Sequence, residues 1–357
     1  MTIALDFGSA CVKAVLFGLP RGGSRYFSFS LNFKTPILSR ATLMSALEII
    51  GRISGEKVLG SGKPLAKIYV CLGLPVYEDC DLLQAPVLLT GQALSSLEIN
   101  VLDVGSQFVH FNDRVGINPI DVSAVVNWLP FKAEVSDIAS YVENKKIYSS
   151  ILPVSPRDLY IEQAIARVRV RDILKAQQVY SDIGELYLTG AVFSKAPYLE
   201  QAILMVLDSL QPPDMIKLWL DRNQILPVAG LLKYYSTQDY LALGDELTPI
   251  FLGTAISLVD SCEVKIDLGM GESQSITLTS GDLYIFPLKS GEQASVRVEY
   301  KSSKSKGKTY EVIGGEVGVV FDLRGRPLII PESVSLRQEL LRLWDNQIGA
   351  SGQIERI

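Results

Sequence analysis

Two stretches of this chain repeat one design: an apolar strand that ends on Asp-x-Gly-Ser and turns straight back into another strand. In the first, Ile3-Ala4-Leu5 leads into Asp6-Phe7-Gly8-Ser9, and the chain returns through Lys13. In the second, residues 97–104 lead into Asp103-Val104-Gly105-Ser106, and residues 107–111 run back. Each strand delivers a carboxylate to the mouth of a tight hairpin. The glycine lets the backbone approach a bound group, and the serine and turn N–H groups can donate to phosphate oxygens. One such turn is as often an ordinary structural hairpin as a site. Two, in the same strand context and far apart in sequence, are a much stronger signal.

The pattern around these hairpins is that of an α/β chain with an all-β end. Residues 2–19 and 25–33 alternate as three antiparallel strands, 40–54 have helical spacing, and 66–74 form a buried strand ended by Pro75. Helices are expected over 121–128, 135–146, 157–178 (with Ser155 as N-cap and Pro156 in the first turn), 197–210, 226–235 and 249–259, and a buried strand over 184–189. From residue 261 short alternating strands separated by glycine turns make an all-β unit, and 333–347 is an amphipathic helix expected to dock on it. This divides the chain into 1–100, 101–260, 261–332 (a β-sandwich or barrel-like extension) and a helix and tail at 333–357.

Composition narrows the function. With 357 residues, 48% of them apolar, the chain can bury two or three cores. A net charge of −5 and the lack of a long basic block argue against nucleic acid as a partner. The lysine-rich run from Lys301 to Lys308 reads as a solvated loop. Four cysteines (Cys11, Cys71, Cys80 and Cys262) without C-x-x-C pairing argue against zinc and suit a reducing cytoplasm. The single histidine, His110, excludes a catalytic histidine pair and reads as a surface or half-buried residue. Met1 leads directly into the first strand, so no signal peptide is expected, and 249–259 is too short to span a bilayer.

The order strand–Asp6-Phe-Gly-Ser, strand–Asp103-Val-Gly-Ser, strand–Leu188-Thr189-Gly190-Ala191 resembles the phosphate-one, phosphate-two and adenosine segments of the actin-fold ATPases. Further stretches resemble one branch of that superfamily, the glutamate mutase accessory proteins called MutL or GlmL. They are Val115–Asn118, Asn127–Phe131, Asn144–Lys146, Leu159–Arg167, Leu252-Gly253-Thr254, Gly314–Asp322 and Arg324-Gly325-Arg326-Pro327-Leu328. The resemblance implies an α/β, duplicated actin-like (ribonuclease H-like) ATPase fold with a C-terminal all-β extension. It also implies ATP with magnesium as ligand and a chaperone-like role on a mutase subunit.

Carried onto this sequence, the resemblance implies that Asp6 and Asp103 hold the metal through water. Gly8, Ser9 and Lys13 would meet the β- and γ-phosphates from one side, and Gly105 and Ser106 from the other. Gln107 could position a water, Gly190 and Ala191 would pass beneath adenine or ribose, and Glu162 and Arg167 would reach sugar and base. The plainer roles are turn chemistry, an exposed strand lysine at position 13 and an exposed ion pair on the 157–178 helix. The sequence also departs from the family. The threonines and acid that usually follow the second hairpin's glycines are replaced by Phe108, Val109 and His110, and Ala191 replaces a glycine. Those departures favour weak or lost hydrolysis and open a second reading: an actin-like scaffold in a pilus or cytoskeletal assembly, working through protein partners or self-association. A small-molecule kinase fits less well, because no catalytic Asp stands near the second hairpin.

Overall fold

The computed structural model describes residues 1–8, 11–19, 24–29, 39–60, 63–73, 85–116, 119–176, 183–243, 248–269, 272–301 and 307–349. The chain opens with β1 (Thr2–Phe7), β2 (Val12–Phe17) and β3 (Arg25–Phe29), followed by α1 (Arg40–Ser54). Ser39 caps α1 by accepting from the Thr42 N–H, and Gly55 ends it in the left-handed region. The helix buries Leu43, Ala46, Leu47 and Ile50 against the strands. A short pair, β4 (Leu59–Gly60) and β5 (Lys63–Pro64), precedes β6 (Lys67–Leu72), β7 (Val87–Leu89) and α2 (Thr90–Ser95). The sheet order is β3-β2-β1-β6-β7. The β1–β2 and β2–β3 pairs are antiparallel; β1–β6 and β6–β7 are parallel.

The same plan then repeats. The next elements are β8 (Val101–Val104), β9 (Val109–Phe111), β10 (Arg114–Gly116), α3 (Val122–Val126), α4 (Val135–Ile147) and α5 (Pro156–Ala176). They continue through β11 (Glu185–Thr189), α6 (Ala191–Ser194), α7 (Leu199–Ser209) and β12 (Met215–Leu220). The order β10-β9-β8-β11-β12 matches the first sheet strand for strand, and so do the strand directions. Two copies of one five-stranded plan make this a duplicated actin-like α/β fold.

The halves are joined by α8 (Leu226–Tyr235) and α9 (Thr237–Leu241). Helix α8 follows β12 of the second sheet yet shares a core with Ala4, Val15, Tyr69 and Cys71 of the first. It crosses α2 so closely that a Cβ on Gly230 would lie 1.9 Å from the Ala93 carbonyl oxygen, so only glycine fits there. Asp239 adds a polar tie, accepting from Lys67 Nζ and Tyr69 Oη of β6.

The C-terminal strands are β13 (Ile250–Ser257), β14 (Cys262–Gly269), β15 (Glu272–Leu278), β16 (Leu283–Phe286), β17 (Gln293–Tyr300), β18 (Lys308–Ile313) and β19 (Gly318–Asp322), followed by α10 (Val334–Gln347). Residues 250–257 are therefore a strand, not the expected helix. β13 continues the second sheet beside β12, and β19 and β16 follow it, giving eight strands. The remaining four form a separate sheet, β15-β14-β17-β18, that closes a core against β13 and β19. Helix α10, with Ile348 as its C-cap, seats Leu341, Trp344 and Ile348 in the core of the second half, and Trp344 Nε1 and Gln347 Nε2 donate to Gly281 and Asp282.

A buried ionic network pins this end to the second half. Arg324 donates to Asp208 Oδ1 at 2.7 Å and to both oxygens of Asp322. Arg326 donates to Asp322 Oδ2, Arg167 to Asp208 Oδ2, and the Trp344 ring covers the Arg324 guanidinium. Burial alone would raise the Asp322 carboxyl, but the two arginines outweigh it and pull it down to about 2. Among the described residues, no helix is long and apolar enough to cross a membrane.

Candidate functional site

Parallel strands leave their C-terminal ends side by side, and in open α/β sheets that edge is where ligands bind. Here the ends of β1, β6, β8, β11 and β12 meet around one cleft between the halves. Asp6, Gly8, Lys13, Asp103, Gly105, Ser106, Gly190 and Ala191, all expected from sequence, line it. Ser9 lies outside the described residues.

The two hairpins carry matching pairs. Strand register sets Lys13 directly across from Asp6 and His110 directly across from Asp103. Lys13 Nζ donates to Asp6 Oδ2 at 2.8 Å, and both side chains are buried. Lys13 is thus not an exposed strand residue. Burial would lower its ammonium, but Asp6, with Cys11 and Asp103 behind it, outweighs burial and holds it above the usual lysine range. His110 is also buried, against expectation. Its Nδ1 stands 3.3 Å from Asp103 Oδ2 but off the line of a hydrogen bond, so that nitrogen has no hydrogen-bond partner.

Gly190 turns the chain from β11 into α6 at φ 90°. A Cβ there would fall 2.4 Å from both Asp103 Oδ1 and the Val104 oxygen, so the missing side chain lets this turn lie against the second hairpin. Behind it, Asp221 at the end of β12 accepts from Thr189 Oγ1 and the Leu226 N–H. Burial pushes its carboxyl up to about 6, against the pull of those bonds and of Lys13.

Glu162 lies beside the cleft rather than in it. Its carboxylate accepts from Tyr141 Oη at 3.0 Å and pairs with Lys145 Nζ at 2.5 Å. It lines an adjoining cavity of about 60 Å³ that shares Ser106 and Ala191 with the cleft. Two expected residues are elsewhere. Arg167 is not an exposed ion pair: it is buried, bound to Asp208 at 2.6 Å with its guanidinium over the Trp128 ring, and it is not in the lining of the cleft or of the adjoining cavity. Gln107 Nε2 donates to the Lys146 oxygen, outside the cleft lining.

Sequence reasoning missed several participants. His110 could have been found from the duplication, because it occupies in the second hairpin the place Lys13 holds in the first. Arg169, two residues beyond Arg167 on α5, donates to the Ser106 oxygen and braces the second hairpin. Thr90 and Gln224 also line the cleft. Gln224 does so from a left-handed backbone (φ 56°), a conformation that costs a non-glycine residue on the order of 1 kcal/mol or more. Nothing local in the sequence marks it.

The donor set suits a phosphate chain with magnesium: two carboxylates as hard oxygen donors, one lysine, and glycines where a Cβ would intrude. Among the described residues, no cluster of three or more His, Cys, Asp or Glu forms a self-contained metal site.

The sequence matches no protein-family model and no curated protein. Solved structures give distant likenesses. The ethanolamine utilization protein EutJ from Carboxydothermus hydrogenoformans is 12% identical, over 66% of this chain and 89% of its own, with TM-score 0.38. The activator of 2-hydroxyisocaproyl-CoA dehydratase from Clostridium difficile, with bound ADPNP, is 14% identical, over 69% and 98%, with TM-score 0.37. A ROK family glucokinase from Streptomyces griseus, in complex with glucose and AMPPNP, is 10% identical, over 64% and 97%, with TM-score 0.38. The fold rests on the strand order of the two sheets, not on likenesses this distant.

Proposed function

We propose that the cleft binds the polyphosphate of a nucleotide and that the chain is an actin-like nucleotide-binding protein acting on a protein client. The observation that carries this is the convergence of two acid–base hairpin pairs, Asp6–Lys13 and Asp103–His110, with the Gly190 turn on one cleft. Lys13 is the pivot. It would exchange Asp6 for phosphate oxygens, freeing Asp6, with Asp103, to hold magnesium through water. Magnesium would offset the phosphate charge. Gly190 and Ala191 would pass beneath the nucleoside, and Glu162 would accept from sugar hydroxyls. The cleft is about 50 Å³, room for a few waters and not a triphosphate, so binding requires the halves to part.

Hydrolysis is not part of the reading, because the glutamine expected to position water is engaged by Lys146. A client is supported by the resemblance to mutase accessory proteins and by an exposed apolar strip beside the nucleoside cavity: Ile147, Tyr148, Ile151, Leu152 and Val154.

Thermal denaturation with and without Mg-ATP tests the proposal. Ligand at one hundred times its dissociation constant should add about 2.7 kcal/mol, and Lys13→Met should abolish the gain. No shift at millimolar ATP, ADP or GTP would overturn it in favour of the nucleotide-free scaffold.

A further inference from the structure

A further cavity lies at the opposite edge of the second sheet. Ile183 stands just before β11 and Pro213 just before β12, so it opens at the strand starts, whereas the cleft opens at the strand ends. Its volume of about 440 Å³ is that of a small-molecule site, and it shares no lining residue with the cleft or with the cavity beside Glu162. The fold holds its walls apart. Gln211, in a left-handed backbone (φ 51°), ties the end of α7 to the segment after β19: its Nε2 donates to the Asp208 oxygen and its Oε1 accepts from the Leu328 N–H. Arg326 Nε spans the same gap to the Pro212 oxygen. Leu174, Ile183, Leu210 and the prolines at 212, 213 and 327 give the cavity an apolar surface.

Its charge is one-sided. Among the described residues the lining holds Arg171, Lys175 and Arg326 and no carboxylate. Arg326 is paired with Asp322. Asp208 and Asp214, which flank the lining segment in sequence, are paired with Arg167 and Arg324 and with Lys308. Asp172 lies outside the lining; Arg171 and Lys175 both act on it, as does Asp121, which caps α3. Asp182 lies outside the described residues. Arg171 and Lys175 are four apart on α5 and share a face, where like charges repel. Two cations against Asp172 leave one positive charge without a counterpart among the described residues. A lysine in the last turn is ordinary helix-end chemistry. An arginine a full turn earlier is not: Arg171 has the Trp128 ring beside it and no ion pair among the described residues.

We propose that this cavity binds an amphiphilic monocarboxylate. Its carboxylate pairs with the Arg171 guanidinium and Lys175 Nζ, and its apolar body lies on Leu174, Ile183 and Leu210. One uncompensated positive charge matches one negative charge, and the apolar surface excludes a ligand that is polar throughout. The site goes beyond the nucleotide reading and does not depend on it.

The test is calorimetric titration at pH 8 with octanoate, octanol and octyl phosphate, which share one chain and differ in charge; the phosphate is a dianion at that pH. Octanoate should bind at one site, about tenfold or more tighter than octanol, and octyl phosphate no tighter than octanoate. The double variant Arg171→Gln/Lys175→Gln should lose octanoate about tenfold or more while its ligand-free melting temperature holds, because neither cation has an ion pair to lose. Octanol bound as tightly as octanoate would overturn the role of the cations. Tighter octyl phosphate would overturn the choice of a monocarboxylate. Octanoate bound equally by the variant would place it elsewhere on the protein, and no octanoate binding at millimolar concentration would overturn the site itself. If the double variant does not fold, Lys175→Gln alone, on an exposed side chain, carries the same comparison.

Discussion

At the scale of single residues, the cleft is organised by acid–base pairs set across hairpin ladders. Asp6 and Lys13 are buried together, so neither can be lost alone without leaving a naked charge. Lys13→Met should therefore destabilise the fold by about 3–5 kcal/mol, and the double variant Asp6→Asn/Lys13→Met should recover most of that. Chemical denaturation of the four proteins of this cycle measures it. A loss below about 1 kcal/mol in Lys13→Met would mean that Asp6 is solvated after all. Gly190→Ala acts differently, through a left-handed φ and a clash with Asp103. It should cost more than about 1 kcal/mol and weaken nucleotide binding more than its stability loss explains, because it displaces a hairpin carboxylate. Equal stability and affinity to the wild type would refute the close approach. The aspartates and glycines of the cleft are legible in sequence because turn chemistry is local. The choice between Arg167 and Arg169 is not. Both lie on α5, and only the packed structure turns one toward Asp208 and the other toward Ser106.

At the scale of elements, the C-terminal third explains which parts of the fold the sequence hides. β13 reads as IFLGTAIS, apolar without alternation, because it is buried between β12 and β19. A strand buried on both faces has lost the period that separates it from a short helix. β12 keeps a clean alternation, burying Ile216, Leu218 and Leu220, so a strand there was within reach of the pattern. What sequence spacing could not reveal is how the end of the chain is fastened. Arg324 joins Asp208 of α7 to Asp322 of β19 beneath Trp344 of α10, a contact between residues 116 apart in sequence. Arg324→Met should leave two carboxylates without their main partner, cost about 3–5 kcal/mol and speed amide hydrogen exchange in α10 before the first half is affected. Uniform exchange along the whole chain would show that the network does not act as a local clasp.

At the scale of the molecule, two buried carboxyls give the fold a pH dependence of defined sign. Asp221 sits where the halves meet and Asp345 on α10 beside Tyr160. Burial pushes each up to about 6, against partners that favour the charged form. An acid with a raised folded-state value holds its proton in the native protein after the unfolded chain has released it. Stability then falls as pH rises from about 4 to 6, by an amount on the order of 3 kcal/mol for each group. Asp322 has the opposite sign: its value of about 2 gives stability that is full above pH 4 and lost only in stronger acid. The windows do not overlap, so the profile should peak near pH 4–5 and decline toward pH 7. Asp345→Asn removes one descending contribution. It should leave stability at pH 4.5 nearly unchanged, raise it at pH 7.5 by roughly 1–3 kcal/mol and flatten the slope between. Denaturation midpoints at half-unit pH steps measure this, and an unchanged slope in Asp345→Asn would remove that carboxyl from the balance. Asp221→Asn should flatten the same slope. Because Asp221 lies in the field of Lys13, its variant should also change nucleotide affinity with pH, which Asp345→Asn should not. The two variants thus separate a titration that only fastens the chain's end from one that reaches the cleft.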